Sequence, residues 1–96
     1  MRIPEREQVA IRNAVAKLEA QGLQLGYPHS SAIQGADRVR ELRPRGGNSP
    51  WRAFYRQIGG VFVVASIGPE AQVKARNFDR AVTVAEQRLN DVEGQP

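Results

Sequence analysis

The chain has 96 residues, enough for one small domain with one hydrophobic core. It contains no cysteine, which excludes disulfide frameworks and cysteine-ligated metal centres. The longest apolar run, residues 61–67, is too short to cross a membrane, and no basic-then-apolar signal segment opens the chain. We therefore predict a cytoplasmic protein with a single domain over residues 1–96.

The charge balance is basic, with fourteen lysines and arginines against ten acidic residues, a net charge of +4 and a pI near 10.3. Such a balance suits a polyanionic partner, but many small domains without one carry a similar charge. All but two of the basic residues are arginines. Because a guanidinium pairs with phosphates and carboxylates alike, both nucleic-acid binding and internal ion pairing stay open.

An amphipathic helix is predicted over residues 4–21. Pro4 suits the first turn of a helix, and Ile11, Val15 and Leu18 follow at helical spacing. Gly22 is a plausible stop. The apolar stripe is interpreted as the face that packs on the core.

The middle of the chain is predicted in two parts. Residues 22–28, which include two glycines and a proline, are predicted to form an irregular connector with two apolar side chains, Leu23 and Leu25. Residues 30–36 are predicted to form one or two helical turns.

Residues 41–56 are predicted to form a hairpin of two strands, around which the rest of the chain is organised. The first strand covers residues 41–45 and the second residues 51–56, because Gly46, Gly47 and Asn48 favour a reversal and Pro50 marks a strand start. Side chains alternate along a strand. The alternation places Glu41, Arg43 and Arg45 on one face of the first strand; in the second it places Trp51, Ala53 and Tyr55 on one face and Arg52, Phe54 and Arg56 on the other.

A Gly59-Gly60 turn then leads into residues 61–67, the most apolar stretch, which is predicted to be the central strand. A final helix is predicted with Asn77 as its N-cap and Gly94 beyond its end. Its apolar face comprises Phe78, Ala81, Val82, Ala85 and Leu89. The predicted fold is α+β: a long first helix, a short second helix, a three-stranded antiparallel sheet and a C-terminal helix.

Familiar catalytic patterns are absent from the sequence. His29 has no carboxylate at metal-ligand spacing, and no glycine-rich loop precedes a Lys-Ser/Thr pair. Four acids give no obvious acid–base pair along the chain, namely Asp37, Glu41, Glu70 and Asp79. No metal and no cofactor are expected.

The arginines of the hairpin have two interpretations of about equal weight. Arg43, Arg45, Arg52 and Arg56 either form a solvated strand face paired with acids such as Glu41, or bind an anion.

Three segments together resemble a known family. Leu23-x-Leu25-Gly26-x-Pro28, then Arg40-Glu41-Leu42-Arg43, then Trp51-Arg52-Ala53-Phe54-Tyr55 are similar to the HigB branch of the RelE/ParE toxin superfamily, which includes phage-derived Gp49-like proteins. The resemblance extends over roughly residues 8–90. It implies a small RelE-like fold.

The resemblance also implies a function. Relatives are toxins of type II toxin–antitoxin systems; they bind the ribosome, cut mRNA without a metal, and are masked by a cognate antitoxin protein. Two alternatives stay open: a ParE-like toxin that inhibits DNA gyrase by protein contact, and a catalytically inactive relative kept for antitoxin or operator binding.

The family's functional positions carry over to seven residues of this chain. Arg52 falls on the catalytic arginine and Arg43 on the arginine of the Glu-Leu-Arg motif, while Lys74 partly replaces missing lysines. The residues expected to bind RNA are Arg45, Arg56, Tyr55 and Arg76, although the alternation of Tyr55 with Trp51 and Ala53 favours a place in the core.

The chain also departs from the family. Residues 67–73 replace a Phe-x-Lys-Lys segment, and neither histidine nor tyrosine follows residues 61–67. The chain starts almost at its first helix, where relatives have a strand, so a sheet edge is expected to be open. The first two departures favour the non-cleaving alternatives, whereas the cluster of Arg43, Arg45 and Arg52 favours cleavage.

Overall fold

The structure, a computed structural model, describes residues 2–94. Two helices pack on opposite faces of a four-stranded antiparallel sheet with the strand order β1-β2-β3-β4. The elements in chain order are α1 (Glu5–Gln21), β1 (Ser30–Ala32), β2 (Arg40–Leu42), β3 (Trp51–Ile58), β4 (Val61–Pro69) and α2 (Ala75–Val92). The α+β class is confirmed.

The first helix follows its prediction within one residue. It begins at Glu5, directly after Pro4, and Glu5 and Glu7 lie in the first turn, where the helix dipole favours acids. It ends at Gly22, whose φ of 59° is readily available to glycine and whose N–H donates to the carbonyl of Leu18.

The alternation predicted for the second hairpin strand is confirmed in β3. Ala53 and Tyr55 pack against Ala14 and Leu18 of α1 on one face of the sheet. Phe54, on the other face, packs against a cluster on α2. Residues 52–56 are therefore buried from both sides, and β3 forms the middle of the core.

The predicted helix at residues 30–36 is wrong, and so is the three-stranded sheet. Residues 30–32 form β1, a fourth strand that pairs with β2, with Ser30 opposite Leu42. The hydroxyl of Ser30 lies 2.5 Å from the hydroxyl of Tyr55. This buried pairing, across the sheet, stabilises an extended conformation that local sequence does not indicate.

The first hairpin strand is shorter than predicted. β2 ends at Leu42, and residues 44–47 form a 3-10 turn instead of a strand. Pro44 cannot donate to the sheet, and Arg45 and Gly46 have φ values of 54° and 61°. The prediction that Glu41, Arg43 and Arg45 share one strand face is therefore wrong.

The apolar strand β4 lies at the edge of the sheet, so its predicted central place is wrong. Within residues 2–94 it pairs only with β3, and the inner strands are β2 and β3. Three of its large apolar side chains are exposed, Val61, Val64 and Ile67. The strand is apolar because both of its faces pack on the core, Phe62 on the side of α1 and Val63 and Ala65 on the side of α2, although one of its edges is unpaired within residues 2–94.

The second helix starts two residues before the predicted N-cap Asn77, with Lys74 as N-cap and no side-chain capping bond. Its predicted apolar face is confirmed. The helix approaches β4 closely, since a Cβ on Gly68 would lie 2.7 Å from the Cβ of Ala81. Among the described residues, no helix is long and apolar enough to cross a membrane.

Candidate functional site

Arg52 lies at the start of β3, on the face that α2 covers, and is 3% exposed. Its Nη1 donates to the carbonyls of Ser49 and Trp51 at 2.6 and 2.9 Å. Its Nη2 donates to Oε2 of Glu70 at 2.8 Å, and its Nε lies 3.5 Å from Oε1 of Glu41. Two carboxylates thus balance one buried guanidinium.

The strand register explains why these three residues meet. Glu41 is opposite Phe54, so it is the diagonal neighbour of Arg52 on the same face of the sheet. Gly68 is opposite Arg52, and Glu70 follows two residues later along the chain. The backbone N–H of Glu70 donates to the carbonyl of Pro50 at 2.8 Å, which fixes the chain as it leaves β4.

Arg43 extends the cluster on the other side of Glu41. Its Nη1 lies 2.6 Å from Oε1 of Glu41, and its Nε donates to the carbonyl of Pro28 at 3.0 Å. Its guanidinium carbon lies 5.3 Å from the centre of the Tyr27 ring. Glu41 is therefore held between two guanidiniums, and the ion chain runs Glu70–Arg52–Glu41–Arg43.

The electrostatics of the ion chain depend on burial. Burial lowers the pKa of Arg52, and the positive charge of Arg43 lowers it further, whereas Glu70 and Glu41 raise it. A guanidinium stays protonated throughout the physiological range even so. Arg52 therefore acts as a fixed cation and cannot carry protons. Within the ion chain, only the carboxylates can accept or release a proton in that range.

The ion chain borders an open cavity of about 310 Å³, which we call the arginine cavity. The side chains of Glu70 and Arg43 are 25% and 20% exposed, against 12% for Glu41 and 4% for Arg52. Glu70 and Arg43 are thus the members of the ion chain that are most accessible to solvent. The cavity is lined by Glu41, Arg43, Gly47, Arg52, Glu70, Ala71, Gln72 and Phe78.

The segments that form this cavity lie within the part of the chain that matches a family model. The model for "Phage derived protein Gp49-like" matches residues 1–90. The chain belongs to this family. Comparison with curated proteins gave no match, and comparison with solved structures gave none either.

This Gp49-like protein places the other predicted site residues elsewhere. Lys74 and Arg76 are exposed at the start of α2, and Lys74 lines a different cavity, with Trp51. Arg45 reaches α1, where its Nη1 donates to the carboxylate of Glu7 at 3.0 Å. A hydrogen bond from Ser49 and the nearby Arg45 lower the pKa of Glu7. The expected roles of Lys74, Arg76 and Arg45 stay predictions.

Tyr55 and Arg56 are both buried. Tyr55 is 3% exposed and packs in the core beneath α1, as its alternation with Trp51 and Ala53 along the strand predicts. Arg56 donates to Asn90 and Glu93 at the end of α2, at 2.9 and 2.5 Å. These contacts and the burial of both side chains support structural roles for Tyr55 and Arg56, in place of the expected RNA contacts.

Sequence reasoning offered Glu41 and Glu70 only as structural ion-pair partners of the hairpin arginines and gave them no part in the chemistry of the site. Glu41 and Glu70 are 29 positions apart in the chain and join only through Arg52. The signal that finds them is the register of an antiparallel sheet, because diagonal neighbours share a face. Within residues 2–94, no group of three or more histidines, cysteines and acids is placed to hold a metal ion.

Proposed function

We propose that this protein is the toxin of a type II toxin–antitoxin system and that it cleaves ribosome-bound mRNA. Membership of the Gp49-like family supports the toxin class. The observation that carries the proposed chemistry is Glu41, a carboxylate between two guanidiniums beside an open cavity. The partners of this proposal are mRNA on the ribosome and an antitoxin protein.

In the proposed reaction, the ribose 2′-oxygen attacks the adjacent phosphorus, and the bond from phosphorus to the 5′-oxygen breaks. Glu41 accepts the proton of the 2′-hydroxyl; the leaving 5′-oxygen takes a proton from water, and the hydroxide so formed takes the proton from Glu41. Arg43 and Arg52 stabilise the charge that gathers on the phosphoryl oxygens. Neither step requires a metal ion.

The phosphate reaches Arg52 by replacing Glu70. The carboxylate of Glu70 occupies the Nη2 donor of Arg52 at 2.8 Å and is the most exposed member of the ion chain. A phosphate is the natural alternative partner for that donor, because a guanidinium pairs with either group in the same geometry. In the free protein Glu70 therefore holds Arg52 in place.

A specific observation favours a second candidate function, inhibition by protein contact without cleavage. The two arginines and two glutamates of the ion chain sum to zero charge, and each nitrogen of the Arg52 guanidinium already lies near a protein oxygen. On this view Arg52 serves folding alone, and the target is a protein such as gyrase.

The test is ribosome-dependent cleavage of a reporter mRNA by the wild type and Arg52→Ala, with a melting curve for each. Loss of one preorganised donor lowers cleavage by about 10²–10³-fold. Arg52→Lys recovers little, because an ammonium does not reproduce the planar fork. Cleavage is expected to persist in chelator at magnesium levels that keep ribosomes intact.

Growth provides the matching test in cells. Expression alone should slow growth, and co-expression of the neighbouring gene should restore it. An Arg52→Ala protein that melts early yet stays fully toxic contradicts the catalytic assignment. Toxicity without any mRNA cleavage supports the second candidate.

A further inference from the structure

A second cavity lies at the same end of the sheet, where β3 begins and β4 ends. Its volume is about 240 Å³, and we call it the tryptophan cavity. The segment that follows β4 separates it from the arginine cavity: residues 70–72 line the arginine cavity, and Val73 and Lys74 line this one. The lining residues are Pro50, Trp51, Pro69, Val73, Lys74 and Asn77.

The floor of the tryptophan cavity is apolar and aromatic. Trp51, the only tryptophan of the chain, is half-buried and lies between two prolines. Val73 at its border is 54% exposed. An indole ring that stays accessible at a strand end offers a flat surface on which another ring can stack.

The border of the tryptophan cavity is positive. Lys74 is exposed and takes part in none of the ion pairs formed by residues 2–94. This differs from the arginine cavity, where each guanidinium has a carboxylate partner. A free cation next to an exposed aromatic ring is the combination that binds single-stranded nucleic acid, because bases stack while phosphates pair with the cation.

We propose that the tryptophan cavity holds one unpaired nucleobase of RNA, stacked on Trp51, with Lys74 bound to a neighbouring phosphate. This inference rests on the proposed function, since it names a substrate contact next to the reacting phosphate. The segment after β4 lines the arginine cavity with residues 70–72 and the tryptophan cavity with Val73 and Lys74, so the phosphate site and the base site adjoin along this segment. An apolar side chain of a protein partner would leave Lys74 without a counter-charge.

The first experiment uses tryptophan fluorescence. Trp51 is the only tryptophan of the chain, so its emission reports on this cavity. A short 2′-O-methyl oligoadenylate, which lacks the attacking hydroxyl, is titrated into the wild type. Stacking of adenine on the indole is expected to quench the emission on binding. Binding without a change in the emission overturns the proposal.

The second experiment uses the two lysines of the chain as a matched pair. Lys74→Gln is expected to weaken binding of the same oligonucleotide and to reduce its dependence on salt, because one phosphate contact is lost. Lys17→Gln removes the same charge from an exposed position on α1 and is expected to leave binding unchanged. Equal weakening by the two substitutions would show general charge attraction and overturn the proposal.

The third experiment replaces the ring and measures binding by anisotropy of a labelled oligonucleotide. Trp51→Ala is expected to weaken binding roughly 5- to 150-fold, the effect of losing one base–aromatic stack. Trp51→Phe, which keeps a ring, is expected to bind nearly as well as the wild type. Undiminished binding by a folded Trp51→Ala variant contradicts the proposal; if that variant does not fold, quenching and the lysine pair decide.

Failure of this inference and failure of the proposed function give different results. Cleavage of mRNA without quenching leaves the function standing and removes the base site. Quenching that depends on Lys74 but is not followed by cleavage, tested with unmodified RNA on ribosomes, keeps the base site and removes the nuclease activity.

Discussion

Two arginines on the same face of β3 invite comparison, because their positions are almost equivalent and their surroundings are not. Arg52 and Arg56 are 3% and 2% exposed, and Phe54 lies between them in the core. Burial alone therefore does not tell which of the two arginines belongs to a functional site. Burying a guanidinium costs free energy of folding unless its N–H donors have acceptors, so each of the two arginines needs its own set of partners.

Those partners differ in what else they can reach. Arg56 donates to Asn90 and Glu93 near the end of α2 and to the carbonyls of Asp37 and Arg38, at 2.5–3.3 Å. It thereby ties the second helix to the loop before β2. Arg52 instead pairs with two carboxylates that line an open cavity. The two arginines are thus equally buried, and they differ in that both carboxylate partners of Arg52 line one cavity together with it.

The largest effect is expected at Glu41. Glu41→Gln removes the proposed proton acceptor but keeps the shape of the side chain, so cleavage should fall by about 10²–10⁴-fold. Glu93→Gln, the matched change at the Arg56 end, should leave the cleavage rate of the folded protein unchanged. Single-turnover cleavage on ribosomes measures both. Equal loss in the two variants would remove the distinction between the two ends of β3.

The next effect is on stability. Arg56→Ala leaves buried carbonyls without a donor, and we expect the free energy of unfolding to fall by about 3 kcal/mol, the lower end of the range for breaking a buried ion pair. Arg38 still pairs with Glu93, which limits the loss. Urea unfolding measures the change. A smaller loss than for Arg52→Ala would reverse the roles assigned here.

A smaller change tests the packing that holds α2 over the Arg52 end. In Gly68→Ala the new methyl group would lie 2.7 Å from the Cβ of Ala81 and 3.5 Å from the Phe54 ring, so α2 and β4 must move apart. The cost is about 1–3 kcal/mol of stability. Because Gly68 is opposite Arg52, cleavage should fall as well. Gly60→Ala, in the open turn before β4, serves as the control. Cleavage that survives the shift would show that α2 does not position the arginine cavity.

The smallest effect concerns pH. The hydrogen bond from Arg38 lowers the pKa of Glu93 below its usual value of about 4.5, and Arg56 lowers it further. A carboxylate whose pKa is lower in the folded state than in the unfolded state stabilises the fold at pH values above its unfolded-state pKa. That stabilisation is lost as the pH falls through the folded-state pKa. The urea midpoint of the wild type should therefore exceed that of Glu93→Gln at neutral pH, and this difference should shrink below about pH 4.5. A difference that persists in acid contradicts this assignment.

Much of the fold follows from local patterns in the sequence. Two local patterns are confirmed, the apolar spacing in the helices and the alternation in β3. Each helix buries one face against the sheet, and β3 is buried on both faces, so the pattern of apolar residues follows the burial. The strand β1 was missed because three residues carry too little pattern, and Ser30 is held by Tyr55 from 25 positions away.

The site was harder to predict than the fold. Arginine-rich strands suggested several cations converging on an anion, but Arg45 leaves the sheet at a left-handed turn and pairs with Glu7. The sequence indicates the arginines and suggests Glu41 as a partner, but it does not indicate that Glu41 and Glu70 meet at Arg52. Glu41 and Glu70 become visible only once the register of three strands is known.

The open edge of β4 has a consequence for the free protein in solution. Its nine residues carry no charge, and Pro69 stands only at the end, so the strand lacks the usual devices that prevent edge-to-edge pairing. The net charge of +4 opposes association of copies, but its reach shrinks to about 8 Å at physiological ionic strength. Resistance to self-association therefore depends on charges outside β4, and added salt should promote self-association.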